Sequence, residues 1–223
     1  MIAAGWLWMG LASEHREMAH AQNVSTNKLM KATSFEEWLI KAKGGDTNAQ
    51  YLLGRSYSEI AVYGRKPITE VPHDVEAGHR WFLEAAKGGV PEAQYEVGNY
   101  FYQKGKIFRS DKKKNPEFVQ AAFSWLNRAA MNGDIDAWRV LGEGHSKGGL
   151  FATDLIEAYK WIHLAAEAEE RLLAAKKITH LRLPGMRNKL SGQLTGVQIA
   201  QAKERAVRFI DAMEKAKKEK AQQ

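Results

Sequence analysis

The chain of 223 residues has no cysteine, only five prolines and no long apolar run. Without cysteine it has no disulfide scaffold, no thiolate nucleophile and no thiolate site for zinc or iron–sulfur clusters. A membrane-spanning helix needs roughly eighteen or more consecutive apolar residues, and no stretch reaches that length. The composition, 44% hydrophobic and 26% charged, is that of a chain which folds around its own core, so wholesale disorder is excluded.

Patterns that signal catalysis are also missing. The seven histidines include no pair at the spacing of a helical zinc site. The glycine-rich stretch 142–149 resembles a phosphate loop, but no strand precedes it and its Lys–Ser order and spacing are wrong. We therefore expect no catalytic, cofactor-binding or metal-binding residue and no small-molecule substrate. An envelope-associated enzyme, with a site assembled from distant parts of the chain, stays open as an alternative.

The first 21 residues differ from the rest. Ile2 to Ala12 is apolar, and Ala19 and Ala21 precede Gln22 as small residues precede a signal-peptidase cleavage point. The segment resembles a secretory signal, although no Lys or Arg precedes Arg16. We predict a signal peptide at 1–21, a linker at 22–33 and a periplasmic or secreted bacterial protein. The alternative is a first amphipathic helix in a cytoplasmic protein.

A repeat is the strongest pattern in the chain. Ala-Lys-Gly-Gly at 42–45 returns 44 residues later at 86–89, and Ala130 with Gly133 follows at the same interval. Tryptophans at 81, 125 and 161, each followed by a bulky residue and then an Ala-Ala pair, keep the same register, with the last interval shortened to 36. A unit of 36 residues with eight-residue insertions explains both intervals.

Each unit is predicted to form two helices. Small residues three positions before each tryptophan let neighbouring helices approach closely, and the tryptophan is expected to fill the space between them. Pro91 suits the first turn of a helix, where a missing N–H costs nothing. Helix starts are also predicted at the capping pairs Ser34 with Glu37 and Asp154 with Glu157, and at Asn115-Pro116.

From Ser34 to Ala166 the pattern of small residue, Trp, Ala-Ala, Gly turn, Ala-Gln-Tyr and Leu-Gly resembles the Sel-one-like repeat, a relative of the tetratricopeptide repeat. The resemblance implies an all-α fold: a right-handed α/α superhelix, or solenoid, of about four helix-pair repeats with a C-terminal capping helix. The array is predicted at 34–182, and a linker and capping helix with a charged tail at 183–223. The resemblance further implies a non-enzymatic module for protein–protein interaction.

Two departures from the pattern stand out. Glu37 occupies the first tryptophan position and Trp38 the next. Glu169 stands where the fourth turn glycine belongs, within a helix-forming run, so we expect a lengthened helix that ends the array. The insertions 64–71 and 104–114 are expected on one side of the solenoid, where partners often bind.

Partner-binding residues are predicted by subtraction. If the small, Trp and Ala-Ala positions face inward, the positions two before and two after each Trp share another face of the first helices. These residues are the candidate concave face, called here the aromatic column: Phe35, His79, Leu83, Phe123, Asn127, Tyr159 and His163. Aromatic side chains with polar neighbours are typical of interface cores. The alternative is that they complete the packing between repeats.

The net charge of +7 is localised. The stretch from Arg171 to Lys203 contains seven basic residues and no acidic one. The candidate basic patch within it is Arg171, Lys176, Lys177, Arg182, Arg187 and Lys189. If it is functional, such a patch favours docking to an acidic protein or an anionic envelope component. A solvated surface is the alternative.

The favoured function is an extracytoplasmic adaptor or regulator that binds one protein in its concave face. A narrower version, suggested by the resemblance only, is an immunity protein that neutralises a secreted antibacterial effector. The alternative class is a basic surface protein that binds nucleic acid or an anionic envelope component. Nucleic-acid binding fits less well, since aromatic residues are not interleaved with the basic runs.

Overall fold

The computed structural model describes residues 35–62, 74–108, 110, 114–148, 150–178 and 180–222. Within these ranges the chain forms helices and no strands, which confirms the predicted all-α fold. The helices are α1 Phe35–Lys43, α2 Thr47–Val62, α3 Val75–Lys87, α4 Pro91–Ile107, α5 Lys114–Met131, α6 Ile135–Lys147, α7 Leu155–Ala174, α8 Leu183–Ser191 and α9 Gly196–Ala221. The chain divides into two compact units, with the boundary between Val97 and Gly98 inside α4. The predicted leader, the linker 22–33, the cap at Ser34 and the insertion 64–71 lie outside the described residues.

The predicted glycine turns close the helix pairs. Gly45, Gly89 and Gly133 have φ values of +93°, +93° and +84°, a left-handed conformation that a glycine adopts at no steric cost. Pro91 begins α4, as its first-turn preference predicts. The Ala-Ala pairs before Gly89 and Gly133 are buried, with Ala129 and Ala130 both at 0% exposure.

One side-chain contact recurs in register. The bulky residue after each tryptophan, at positions 82, 126 and 162, packs on the glycine of a preceding Leu-Gly or Val-Gly pair. A β-carbon added to Gly54 would lie 2.5 Å from a ring carbon of Phe82, and one added to Gly142 would lie 2.6 Å from Ile162 Cγ1. These glycines therefore provide the close approach between helices on which each packing layer depends.

The same contact corrects part of the prediction that the tryptophan fills the space between helices. Trp161 is buried, at 3% exposure, and Trp81 packs against the cluster around Trp38. However, Trp81 and Trp125 are only half-buried, whereas Leu126 is 0% exposed. Successive side chains on a helix point about 100° apart, so only one of two neighbouring residues can face the glycine. The correction also explains the first unit. Trp38, at 3% exposure, occupies the repeat position of the buried residue that follows the tryptophan in the other units. It is therefore not a tryptophan shifted by one position.

A second recurrent contact satisfies the carbonyl at the end of each first helix. Gln50 Nε2 donates to the Ala42 carbonyl at 3.1 Å, and Gln94 Nε2 donates to the Ala86 carbonyl at 3.3 Å. In the next repeat the indole Nε1 of Trp138 donates at 3.1 Å to the carbonyl eight residues earlier. The glutamine of Ala-Gln-Tyr thus serves as a buried hydrogen-bond donor, and an indole N–H replaces it without loss of the bond.

The start of α5 differs from the prediction. The helix begins at Lys114, so Asn115 lies inside it and is not its N-cap. The Asn115 side chain instead donates from Nδ2 to the Gly105 carbonyl of α4 at 2.8 Å. This bond joins the first turn of α5 to the end of α4. By contrast, Asp154 caps α7 by accepting from the backbone N–H groups of Ile156 and Glu157. The return bond of the predicted capping pair does not form, because the Asp154 N–H donates to the His145 carbonyl.

The fourth unit ends differently from the others. Helix α7 has 20 residues and passes through Glu169, which confirms the predicted lengthening. Its left-handed turn comes at Lys176, with φ of +56°. The N–H of Lys177 bonds to the Leu172 carbonyl and that of Lys176 to the Leu173 carbonyl, which is the hydrogen-bond pattern of a Schellman motif. A lysine thus takes the conformation that glycine has in the other repeats.

The segment predicted as a linker contains helix α8. Pro184 lies in its first turn, and Leu183 and Leu190 are buried at 3% and 5% exposure. The carboxylate of Glu169 accepts from the backbone N–H groups of Arg182 and Leu183, both at 2.9 Å. A side chain of α7 therefore caps the N-terminus of α8, where a negative charge is favoured.

Helix α9 packs along α7 and completes the C-terminal cap, the name used here for α8 and α9 together. A capping box at Thr195 and Gln198 starts it. Its buried residues are Ala202, Ala206, Ile210 and Met213. Phe209 meets Trp161 of α7 edge to face, with ring centroids 4.7 Å apart. The apolar face of α7 is thereby covered by the chain itself.

Candidate functional site

The aromatic column is divided between the two units. In the first unit, Phe35 is half-buried, packs against the cluster around Trp38 and meets Tyr57 edge to face with centroids 5.8 Å apart. His79 and Leu83 on α3 are also half-buried. These three side chains contribute to packing and still present part of their surface to solvent.

In the second unit the column separates into an exposed and a buried part. Phe123 is 46% exposed, and Asn127 donates from Nδ2 to the Phe123 carbonyl at 2.7 Å. Tyr159 is only 5% exposed and stacks on His163 with centroids 5.7 Å apart. The structure therefore buries Tyr159 in the core of the second unit. Among the residues of the aromatic column in this unit, Phe123 has the accessible aromatic ring.

Phe123 borders an open cleft of about 530 Å³, called here the groove. One wall is the first half of α5, with Pro116, Val119, Gln120 and Phe123, and the other is the end of α6 and the following loop, with His145, Leu150 and Phe151. Phe123 and Phe151 meet edge to face with centroids 5.5 Å apart. The groove is thus an apolar cleft between two helices of the second unit.

Sequence reasoning missed the groove residues contributed by α6 and its loop. Leu150 and Phe151 each pack against a glycine. A β-carbon on Gly105 would lie 2.5 Å from Leu150 Cδ1, and a β-carbon on Gly144 would lie 2.4 Å from Phe151 Cδ2. Two large apolar residues in a glycine-rich connection are the signal that was available. On sequence alone, the neighbouring stretch 142–149 was instead compared with a phosphate loop.

His163 lies in a charged cluster between α7 and the C-terminal cap. Its Nε2 is 3.4 Å from Glu167 Oε1, and its Nδ1 is buried without a hydrogen-bond partner. Burial lowers the pKa of His163; Glu167 and Glu170 act in the opposite direction, while Lys203 and Arg187 lower it further. The neutral imidazole is the form that this site favours.

Several cations of the basic patch face carboxylates of α7. Arg187 donates to the Glu170 carboxylate through both terminal guanidinium nitrogens, from Nη2 at 2.8 Å and from Nη1 at 3.4 Å. Arg171 lies 3.4 Å from Glu167, and Arg182 lies 4.0 Å from Glu169. The acid-free stretch 171–203 is therefore partly neutralised by the acidic residues immediately before it. Lys176, Lys177 and Lys189 are the remaining members, and Lys176 has the structural role of the turn residue.

A second charged cluster joins α9 to the start of α7. Lys160, 7% exposed, pairs with Glu157 and lies over the Trp161 ring with Nζ 3.7 Å from the centroid. Burial lowers the pKa of Lys160, and the bond to Glu157 opposes that effect. Arg205 of α9 lies 3.3 Å from Glu157 and 3.6 Å from Asp154. These contacts hold the C-terminal cap in place.

Neither a metal site nor a membrane span is found in the part of the chain that the structure describes. No three His, Asp or Glu residues there are grouped as metal ligands would be. No described helix combines the length and the apolar character needed to cross a bilayer.

The recurrent glycine contacts, buried amide donors and left-handed turns together define an all-α helical repeat protein. The sequence matches the Sel1 repeat family over residues 47–90, 91–134 and 139–169, which is more than half of the chain. The chain belongs to the Sel1 repeat family. Proteins of this family generally mediate protein–protein interaction. No curated protein gives a significant sequence match.

Solved structures that are similar to the chain include the following two. One is the crystal structure of a Sel1 repeat protein from Oxalobacter formigenes, with 28% identity, coverage of 62% of this chain and 96% of that protein, and a TM-score of 0.42. The other is c5321, a protective antigen present in uropathogenic Escherichia coli strains that displays an SLR fold. It is 20% identical, with 79% of this chain and 40% of that one covered and a TM-score of 0.38.

Proposed function

We propose that this protein is a non-catalytic adaptor or regulator that binds one protein partner. The exposure of Phe123 carries the proposal. The Phe123 ring is 46% exposed and takes no part in the recurrent contacts with glycine, and exposed aromatic rings are enriched in interface cores. Membership of the Sel1 repeat family supports the same function.

The test uses the partner from the native source. The full chain is immobilised, retained proteins are identified by mass spectrometry, and the leading candidate is purified and titrated calorimetrically. We expect a stoichiometric complex that Phe123→Ser weakens by about tenfold or more, a typical loss for an aromatic anchor. Ile40→Ser, at a residue 71% exposed on α1, is the matched control. The proposal fails if no purified protein forms such a complex.

A narrower form of the proposal places the protein in the periplasm, where it neutralises a secreted antibacterial effector. It rests on the resemblance and on the leader-like residues 1–21, which lie outside the described residues. Cell fractionation tests the compartment. Co-expression with the toxin-like product of a neighbouring gene tests the activity, because an immunity protein restores growth and co-elutes with its toxin.

The alternative of a surface that binds nucleic acid or an anionic envelope component has less support. Arg171, Arg182 and Arg187 face Glu167, Glu169 and Glu170, and cations already paired within the chain release few counterions from a polyanion. Affinity for nucleic acid that falls steeply with salt and ignores sequence would favour this alternative.

A further inference from the structure

We propose that the C-terminal cap is a pH-sensitive element, which opens from α7 when His163 takes up a proton while the helices before it stay folded. The cap is closed at neutral pH and opens more readily in mild acid. This inference concerns a conformational change within the chain and does not depend on the proposed function.

His163 lies on the face of α7 that the C-terminal cap covers. His163, Glu167 and Glu170 follow one another at intervals of four and three residues, so they share one face of the helix. On that face Glu170 accepts from Arg187 of α8 at 2.8 Å. The His163 side chain is 14% exposed. Opening of the cap therefore returns the imidazole to water.

The buried site suits the neutral imidazole and not the protonated one. Nε2 of His163 lies 3.4 Å from Glu167 Oε1. Because a carboxylate only accepts, the single proton of the neutral ring belongs on Nε2. Nδ1 is then a bare acceptor, buried without a hydrogen-bond partner among the described residues. A second proton would place a charged donor at Nδ1 with no group to accept from it, which is costly in a buried site.

The charges that the cap presents to this imidazole are positive. Burial is the largest cause of the lowered pKa of His163. Lys203 of α9 and Arg187 of α8 lower that pKa further, whereas Glu167 and Glu170 of α7 raise it. Protonation with the cap closed would thus add a third positive charge beside two that the cap supplies.

The other charged groups packed around the site leave this balance in place. Arg171 lies 3.4 Å from Glu167 and so faces the same carboxylate as the imidazole does. On α6, Arg139 donates to Asp136 and to Glu143. No described charged group of α6 is among those that act most strongly on the imidazole. The carboxylates of α7 and the cations of the cap are therefore the charges that decide its protonation.

Opening of the cap is linked to proton uptake by His163. With the cap closed the pKa of His163 is lowered, and with the cap open the imidazole faces water, where a histidine has a pKa of about 6.5. The open form therefore takes up the proton first as the pH falls. Closure is at full strength above that value and weakens below it. Terminal elements of a fold commonly open as separate units in this way.

Opening also uncovers an apolar part of α7. Trp161 is 3% exposed and meets Phe209 of α9 with ring centroids 4.7 Å apart. The contact is lost when α9 leaves. The apolar face of α7 is thus covered at neutral pH and becomes accessible to water in mild acid.

Amide hydrogen exchange of the full chain, followed by mass spectrometry, tests the proposal. Exchange is measured at several values between about pH 7.5 and about pH 4.5, a range that spans the ordinary histidine pKa. The rates are converted to protection factors, which removes the intrinsic effect of pH on exchange. Between about pH 7.5 and about pH 5.5, protection in α8 and in residues 202–213 of α9 should fall by about fivefold or more, the lower end of the cost of an unsatisfied buried donor. Protection in α6 should be nearly unchanged.

Two variants assign the effect to one imidazole. His163→Gln is neutral throughout this range, so it should keep the protection of α8 and α9 at neutral pH and lose most of its fall in mild acid. His180→Gln, at an exposed position before α8, is the matched control and should behave as the wild type does.

Three results would overturn the proposal. The first is protection in α8 and α9 that does not fall in mild acid, and the second is an equal fall in α6, which means global unfolding. The third is a fall that persists undiminished in His163→Gln. If that variant does not fold, the wild type decides alone, because a fall that begins only below about pH 5 belongs to carboxylates and not to a histidine.

Discussion

Leu126 packs against Gly98 so closely that a β-carbon on the glycine would lie 2.8 Å from Leu126 Cγ and 2.9 Å from its backbone nitrogen. Gly98→Ala should therefore destabilise the fold by about 1–3 kcal/mol, the usual cost of overpacking a core. Urea unfolding followed by circular dichroism measures the change. Gly185→Ala is the matched control, since no atom lies within 4 Å of its added carbon. Equal stability of the two variants would contradict the packing assignment.

Glu169 is predicted to stabilise the C-terminal cap by accepting two backbone N–H groups of α8. Glu169→Ala leaves these donors without the carboxylate and should cost about 2–3 kcal/mol, as expected for hydrogen bonds to a charged group. Glu204→Ala, which removes an exposed carboxylate paired with Arg208, should change stability by less than about 1 kcal/mol. Amide hydrogen exchange in α8 should rise in the first variant only. Unchanged protection there would disprove the capping role.

Lys176 is a non-glycine residue with positive φ in the described part of the chain. Lys176→Gly should stabilise the protein by about 1 kcal/mol, because a left-handed conformation is costly for a residue with a β-carbon. Thermal unfolding measures the gain. Lys177→Gly, next to it but without a positive φ, should be neutral or destabilising. A loss of stability in Lys176→Gly would show that the lysine side chain matters more than its backbone.

The buried imidazole of His163 should make stability depend on pH. Burial lowers the pKa of His163 in the folded state, so the unfolded chain takes up the proton first as the pH falls. Stability is then lost below the unfolded pKa of about 6.5, and the loss stops once the pH is below the folded pKa. Urea midpoints measured between neutral and mildly acidic pH should fall in the wild type. They should fall less in His163→Gln, whereas the exposed-site control His180→Gln should match the wild type.

The repeat itself was readable from sequence because each recurring residue has a local reason. Gly45, Gly89 and Gly133 are needed for their positive φ, and Pro91 for a first turn. The choice between Trp81 and Phe82 as the buried residue was not readable. Both are large and apolar, and periodicity does not tell which of two neighbours faces a glycine on another helix.

The candidate site was less predictable because its burial depends on contacts between distant residues. Phe123 and Tyr159 occupy the same repeat register, yet one is 46% exposed and the other 5%. Helix α8 was missed for a similar reason: Leu183 and Leu190 are isolated apolar residues in a basic stretch, and only packing in the C-terminal cap buries them. The groove required Leu150 and Phe151 to meet helices α4 and α6, which no local pattern encodes.

The carboxylate of Glu169 also constrains how the gene could have changed in length. Repeats of this kind multiply by duplication. A copy inserted after α7 would separate the Glu169 carboxylate from the N–H groups of Arg182 and Leu183, from which it accepts hydrogen bonds. It would also displace Phe209 from Trp161. Gain or loss of a repeat is therefore compatible with this C-terminus only upstream of residue 155.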